Sequence, residues 1–220
     1  MTGDSAHQGR RLALVEKLKA RGIRDPRVLA AFAQVGRHLF VDEALADQSY
    51  EDCSLPLGDR QTISQPSMVA TMLSLLAVQP DDRVLEIGTG SGFQTALLGH
   101  LAAQVYSIER IAALARPATR RLRDLNLTNV HVKTFDGTYG WRDRAPFQGI
   151  VVTAGAPEIP KTLAEQLADG GRLVVPVGDR EGQTLKRIIR QESGFRVEDH
   201  GSCQFVPLIG KFGWEEPEER

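Results

Sequence analysis

The stretch Val84-Leu85-Glu86-Ile87-Gly88-Thr89-Gly90-Ser91-Gly92-Phe93 decides the fold. Its apolar start reads as a short buried strand, three glycines break the pattern, and from Phe93 to Leu101 an apolar face of Leu97, Leu98 and Leu101 recurs at helical spacing. Lacking a Cβ, the glycines let the backbone turn tightly and let a ligand lie against main-chain NH groups at the positive end of the helix. A nucleotide-like ligand suits that place. Phe93 stands where the dinucleotide fingerprint reserves Gly or Ala, which points away from a pyrophosphate.

Strands and helices alternate onward from this unit. Val105 to Ile108 reads as a second strand, and a helix with Ile111, Leu114, Ala118, Leu122 and Leu125 inward follows it. Asn129 to Phe135 is a third strand, Gly149 to Thr153 a fourth, Pro160 to Leu167 a helix, and Arg172 to Val177 a fifth strand. Such alternation predicts an α/β fold with a doubly wound, mostly parallel sheet covered on both faces. Leu185 to Arg190 and Phe195 to Phe205, with no helix between them, should close the chain as an antiparallel pair.

Upstream the pattern differs. Leu12, Val15 and Leu18 predict a helix ended by Gly22, and Asp25 with Pro26 predicts the cap and first turn of a second, with Val28, Phe32 and Val35 inward. Tyr50 to Ser67 has no sustained period and is expected to be irregular. Pro66 should open a third helix facing inward through Met68, Met72 and Leu75. The expected organisation is residues 1–78 as helices plus connector and 79–220 as the core, in one compact unit.

Composition narrows the function classes. The 220 residues are 41% hydrophobic and 25% charged, enough for one sizeable core. Lys plus Arg total 27 against 28 for Asp plus Glu, so a net charge of −1 gives no broad field for a polyanion or an acidic membrane. Neither a nucleic acid nor a membrane is an expected partner. Met1 to Arg10 is polar and does not resemble a secretory signal. Cys53 and Cys203 are the only cysteines, which excludes a disulfide framework and a cysteine-based zinc site. A cytoplasmic monomer without a metal is expected.

Two acidic positions extend the glycine turn. Glu109 ends the second strand, where its carboxylate can accept from ribose hydroxyls, and Asp136-Gly137 ends the third on the same edge, within reach of an adenine. Each has a plainer alternative: Glu109 with Arg110 as a solvated pair, Asp136 as a turn cap. Three such features at the ends of three consecutive strands nevertheless mark the crevice where open sheets bind ligands. Tyr50, Tyr106 and Tyr139 are followed four positions on by Ser54, Arg110 and Asp143, so the Tyr/Lys pair of short-chain dehydrogenases is missing. Gly210-Lys211 is followed by Phe212, which excludes a phosphate-binding loop. S-adenosylmethionine, a nucleoside without phosphate, survives as the ligand. No Pro-Pro dipeptide follows the fourth strand, so an exocyclic nitrogen is not the expected target.

Five stretches carry a family resemblance: Tyr50-Glu51-Asp52, Gln61-Thr62-Ile63-Ser64-Gln65-Pro66, Val84 to Phe93, Gly149 to Ala156, and Phe205-Val206-Pro207-Leu208-Ile209-Gly210. Together they resemble the protein-L-isoaspartate O-methyltransferases, a family with a doubly wound sheet of the S-adenosylmethionine-dependent methyltransferase type and added N-terminal helices. The Thr-Ile-Ser-Gln-Pro run is the specific part. The resemblance implies that Ser64 is the active-site residue. It implies that Gly88, Gly90, Ser91 and Gly92 lie under the methionine part of the cofactor, that Glu109 holds the ribose, that Asp136 and Gly137 flank the adenine, and that Thr89 and Arg110 also belong to the cofactor-binding set. Thr62, Ile63, Ser64, Val206, Leu208 and Ile209 are the implied substrate-binding set. Cys53-Ser54 displaces the family's usual proline, and Asp59-Arg60 stands where Gly or His is common.

The implied reaction methylates the free α-carboxyl of L-isoaspartyl residues in flexible or unfolded proteins, releasing S-adenosylhomocysteine and starting repair through a succinimide. On local sequence alone Ser64 would instead be a helix N-cap before Pro66. His38 and His131 read as structural, Arg116, Arg120 and Arg123 as a solvated stripe, and Trp141 and Trp214 as packing residues. The rivals are a methyltransferase for a small acid and a noncatalytic nucleoside-binding protein.

Overall fold

The computed structural model describes residues 3–216. Helix α1 (Gly3–Ala20) packs on α2 (Pro26–Gln34), whose first turn is capped by the Asp25 carboxylate accepting from the Arg27 and Val28 amides. The inward stripe of α1 is Leu14, Val15 and Leu18, not the expected Leu12, Val15 and Leu18, and Leu12 is 50% exposed. Spacings of three and four residues to Leu18 bring Val15 and Leu14 onto one face, and Leu12 falls beside it.

The connector is not irregular throughout. It contains a hairpin of β1 (Leu55–Gly58) and β2 (Gln61–Ile63), with Leu55 opposite Ile63 and both buried. Its turn holds Asp59 and Arg60 at φ of 48° and 56°. Positive φ at both central positions is the geometry that favours Asn-Gly, so the turn was not readable from Asp-Arg. Helix α3 (Pro66–Leu76) follows and buries Val69, Met72, Leu73 and Leu76, whereas Met68 and Leu75 are only partly buried.

The main sheet has seven strands: β3 (Arg83–Ile87), β4 (Gln104–Glu109), β5 (Val130–Thr134), β6 (Phe147–Val152), β7 (Leu167–Gly178), β8 (Gln183–Gln191) and β9 (Gly194–Cys203). Their spatial order is β5-β4-β3-β6-β7-β8-β9, with the pairs from β5 to β7 parallel and the last two antiparallel. Helix α4 (Phe93–Leu101) links β3 to β4, and α5 (Ala112–Asp124) links β4 to β5, burying Ala115, Ala118 and Leu122 but not Leu114 or Leu125 fully. The expected helix at Pro160 to Leu167 shrinks to α6 (Lys161–Ala164), because Leu167 already pairs with Phe147 as the start of β7.

The strand order turns at β3, which has β4 on one side and β6 on the other. Successive connections leave in opposite directions there, opening a crevice at the carboxyl ends of these strands. The N-terminal helices brace that edge through fully buried Phe93 at the start of α4, whose ring meets Phe32 at 5.7 Å and Phe40 at 5.6 Å.

The hairpin turn generates a test. A side chain in the left-handed region is strained by about 1 kcal/mol, so Arg60→Gly should raise stability by up to about that amount. Urea denaturation checks it, and a lower midpoint contradicts the assigned turn geometry.

Candidate functional site

The glycine turn leaves β3 at Gly88, with φ of 98°. A Cβ there would collide with Thr153 Oγ1, whose hydroxyl donates to the Ile87 and Gly88 carbonyls at 3.0 and 2.8 Å and ties the turn to the end of β6. Gly90, at φ of 52°, points its amide sideways and donates to Glu109 Oε2 at 2.8 Å. Glu109 Oε1 accepts from the Ile111 amide at 2.9 Å, and the side chain is buried. The solvated-pair alternative for Glu109 is therefore not what folds. Arg110 pairs instead with Glu216 at 3.0 Å while still lining the cleft.

A carboxylate offers about four lone-pair sites, and two backbone donors occupy two of them. The remainder of Glu109 faces a cleft whose lining includes Gly88, Thr89, Gly90, Ser91, Glu109, Arg110 and Gly137. The same cleft is lined by Thr62, Ile63 and Ser64 from the end of the hairpin, and by Val206, Leu208 and Ile209 from the segment after β9. The cleft is open to solvent, and strand ends, hairpin and the segment after β9 all contribute to its lining.

Several expected residues sit differently from a simple ligand shell. Thr89 lines the cleft, but its hydroxyl points inward and lies 2.6 Å from Ser107 Oγ. Gly92 is absent from the lining and caps α4 at φ of 89°. Asp136 also stays out of the lining: Oδ1 accepts from the Thr138 amide and hydroxyl, and Oδ2 accepts from the Lys211 amide at 2.8 Å. The turn-cap alternative describes it, and Gly137 is the member of that pair that faces the cleft.

Ser64 is half-buried at the cleft and is not the N-cap of α3. Gln65 holds that position without a side-chain bond, and the Asp52 carboxylate accepts from the Ser67 amide at 2.8 Å instead. No described residue hydrogen-bonds the Ser64 hydroxyl, which leaves it available at the cleft wall.

Sequence reading missed three residues here. Thr153 lies in the quoted Gly149 to Ala156 stretch, and a hydroxyl ending a strand beside a glycine turn was the available signal. Gln94 lines the cleft one position after the glycine motif, without a pattern to mark it. Arg37 is fully buried behind Ser64, and its donors reach the Ser49, Cys53 and Ser64 carbonyls. Among the described residues, no cluster of His, Cys, Asp and Glu could hold a metal ion, and no helix is long and apolar enough to cross a membrane.

Comparison with known proteins addresses the whole chain. Residues 9–213 match the family model described as protein-L-isoaspartate(D-aspartate) O-methyltransferase. A relative from Syntrophotalea carbinolica named protein-L-isoaspartate O-methyltransferase is 52% identical over 208 residues, covering 94% of this chain and 96% of that one. One of the same name from Syntrophus aciditrophicus is 54% identical over 211 residues, covering 94% and 97%. A solved structure titled protein-L-isoaspartate O-methyltransferase superposes with a TM-score of 0.84 at 28% identity, over 92% of this chain and 67% of that one. Another, a putative member from Plasmodium falciparum in complex with S-adenosyl-L-homocysteine, gives a TM-score of 0.79 at 25% identity, over 92% and 98%.

Beneath the glycine turn lies a buried acid. Glu86 Oε2 accepts from the hydroxyls of Thr95 and Ser107, and the Gln94 side-chain amide lies beside the carboxyl. Burial, with a smaller push from the Glu109 charge, raises the Glu86 carboxyl from 4.5 to about 7 against the pull of the Thr95, Ser107 and Gln94 donors. Between those values the folded state binds more protons than the unfolded one, so this group's contribution to stability falls as pH rises from 4.5 to about 7 and is level above. Glu86→Gln keeps an acceptor and removes the titration. Its stability relative to the unmodified protein should therefore climb from about pH 5 to about pH 7 and then plateau. Urea denaturation at intervals across that range measures the difference, and a pH-independent difference would contradict the buried, proton-binding Glu86.

Proposed function

The chain belongs to the protein-L-isoaspartate(D-aspartate) O-methyltransferase family, and from that premise we propose how the cleft carries out the reaction. The protein is an S-adenosylmethionine-dependent carboxyl O-methyltransferase that acts on isoaspartyl residues of proteins. The observation that carries the residue assignment is one shared cleft. Thr62, Ile63 and Ser64 form one wall, and the glycine turn with Glu109 forms another.

The donor set fits the cofactor. Glu109 keeps two acceptor sites for a ribose diol, Gly137 with Arg110 and Leu114 offers a slot for a base, and Gly88 to Ser91 lie against the amino-acid tail. When bound, S-adenosylmethionine supplies a methyl group activated by a sulfonium cation. The isoaspartyl α-carboxyl has an ordinary pKa of about 3.5 and is ionised at neutral pH, so no general base is required.

Charge disappears as the anionic oxygen and the cation react, and water opposes that step by solvating the separate ions. Ile63 and Val69 on one wall and Leu208 and Ile209 on another supply apolar surface that keeps water out. Ser64 donates one hydrogen bond that holds the carboxylate without neutralising it. Alignment of this kind can lower a barrier by about 7 to 11 kcal/mol.

The substrate chain is read as lying along Val206 to Ile209. One edge of that segment is already used: Gly155 donates to the Val206 carbonyl at 2.8 Å and accepts from the Leu208 amide at 2.9 Å. The Pro207 carbonyl and Ile209 amide have no backbone partner among the described residues, which supports pairing of an extended peptide on the opposite edge. An extended segment of this kind favours flexible or unfolded substrates. The free thiols of Cys53 and Cys203 support work in a reducing cytoplasm, with the monomer as the proposed working unit.

Paired peptides differing only in Asp or isoAsp test the reading. Methyl gain by mass is expected on the isoAsp member alone, and gain on both, or on neither, contradicts it. Removing a hydrogen bond to a charged group is worth about 1.5 to 3 kcal/mol, so Ser64→Ala should lower kcat/KM by about 10- to 100-fold with cofactor affinity retained. Initial rates and cofactor titration separate the two effects. Full activity in Ser64→Ala would remove Ser64 from the mechanism.

A further inference from the structure

Behind the Ser64 wall lies a cation that the mechanism above does not use. Arg37, in the single turn Arg37–Phe40, is 0% exposed. Its Nη1 donates to the Ser49 carbonyl at 2.7 Å, and its Nη2 donates to the carbonyls of Cys53 at 3.0 Å and Ser64 at 3.1 Å. The guanidinium stands 5.9 Å from the centre of the Phe93 ring, against the helix that begins at the glycine turn. Burial lowers its pKa only to about 10, so it remains a cation at neutral pH.

This arrangement is expensive if it serves packing alone. Arg37 forms no ion pair with a carboxylate among the described residues, its hydrogen-bond acceptors are neutral carbonyls, and the charge of nearby Asp52 offsets only part of the solvation that burial removes. An apolar side chain of similar volume would fill the space but leave the three carbonyls without this donor. What only a planar, forked donor can do is span three carbonyls at fixed angles: those of Cys53 and Ser64 belong to the connector that delivers Ser64, and that of Ser49 immediately precedes it. Asp52, also in that connector, fixes the next turn through the Ser67 amide. The peptide at Ser64 is thus held from behind at its carbonyl while its hydroxyl faces the cleft.

We propose that Arg37 is a positioning residue for methyl transfer: its guanidinium holds the Ser64 peptide in the one orientation that presents the hydroxyl to the substrate carboxylate. The inference rests on the assignment of Ser64 given above. Arg37→Lys keeps the charge but replaces the fork with a single point donor that cannot span three carbonyls. Misplacement of a reacting group by about 1 Å can slow a reaction by about 100-fold, so kcat on an isoAsp peptide should fall by about 10- to 100-fold. Cofactor affinity should stay unchanged, because Glu109 and the glycine turn are untouched.

Steady-state kinetics, cofactor titration and thermal melting on unmodified and Arg37→Lys proteins read these effects separately. A variant with a lower melting temperature but unchanged kcat would show a structural role only and overturn the proposal. If Arg37→Lys does not fold, guanidinium NMR on the unmodified enzyme bound to S-adenosylhomocysteine decides. The Arg37 Nη resonances should exchange slowly and shift when isoAsp peptide is added but not when Asp peptide is, and no shift overturns the proposal. An unmodified enzyme that methylates neither peptide sinks the functional reading and this inference with it. An active one alongside an equally active variant sinks the inference alone.

Discussion

Parallel strands impose the constraint on which the rest depends: β3, β4, β5 and β6 all end on one edge, so whatever the loops carry meets there. The Gly90 amide bonding the Glu109 carboxylate is the local expression of that constraint, because it locks the turn after β3 to the end of β4. Thr153 does the same from β6. With these links made, the crevice has a fixed floor before any ligand arrives. The N-terminal third then supplies the missing wall, packing Phe32 and Phe40 against Phe93 and bringing the hairpin over the strand ends.

The chemistry follows from that enclosure. Two opposite charges that vanish in the reaction need a dry, aligned meeting place and no proton acceptor. Val69, Leu208 and Ile209 line the cleft with apolar surface, and the hydrogen bond proposed for Ser64 would leave the reacting anion anionic. Glu86, the fully buried acid, lies below the turn and outside the lining, so it acts on the protein's stability and not on the reacting groups.

How much of this was legible in the sequence depends on the range over which each feature is encoded. The strand, turn and helix around Gly88 to Gly92 were legible because glycine, apolar runs and helical spacing act within ten residues. The edge position of Glu109 followed from the same pattern. The hairpin was not legible, since Asp59 and Arg60 adopt a turn that their side chains do not advertise. Ser64 illustrates the opposite case: its local pattern spelled a helix cap, and a contact from Asp52, 15 residues before Ser67, took that role. Arg37 was invisible for the same reason, because its partners lie 12, 16 and 27 positions away. Asp136 was legible only as a pair of options, and the distant Lys211 amide made it a clip for the chain end.

Under the proposed mechanism the hairpin wall and the nucleoside floor converge on a single carboxylate. The most direct measurement is a crystal structure of the enzyme with S-adenosylhomocysteine and an isoaspartyl peptide bound together. One α-carboxylate oxygen should lie within hydrogen-bond distance of Ser64 Oγ and face the sulfur, with the peptide backbone beside Pro207 and Ile209. A carboxylate seated away from Ser64, or a nucleoside bound away from Glu109, would contradict it.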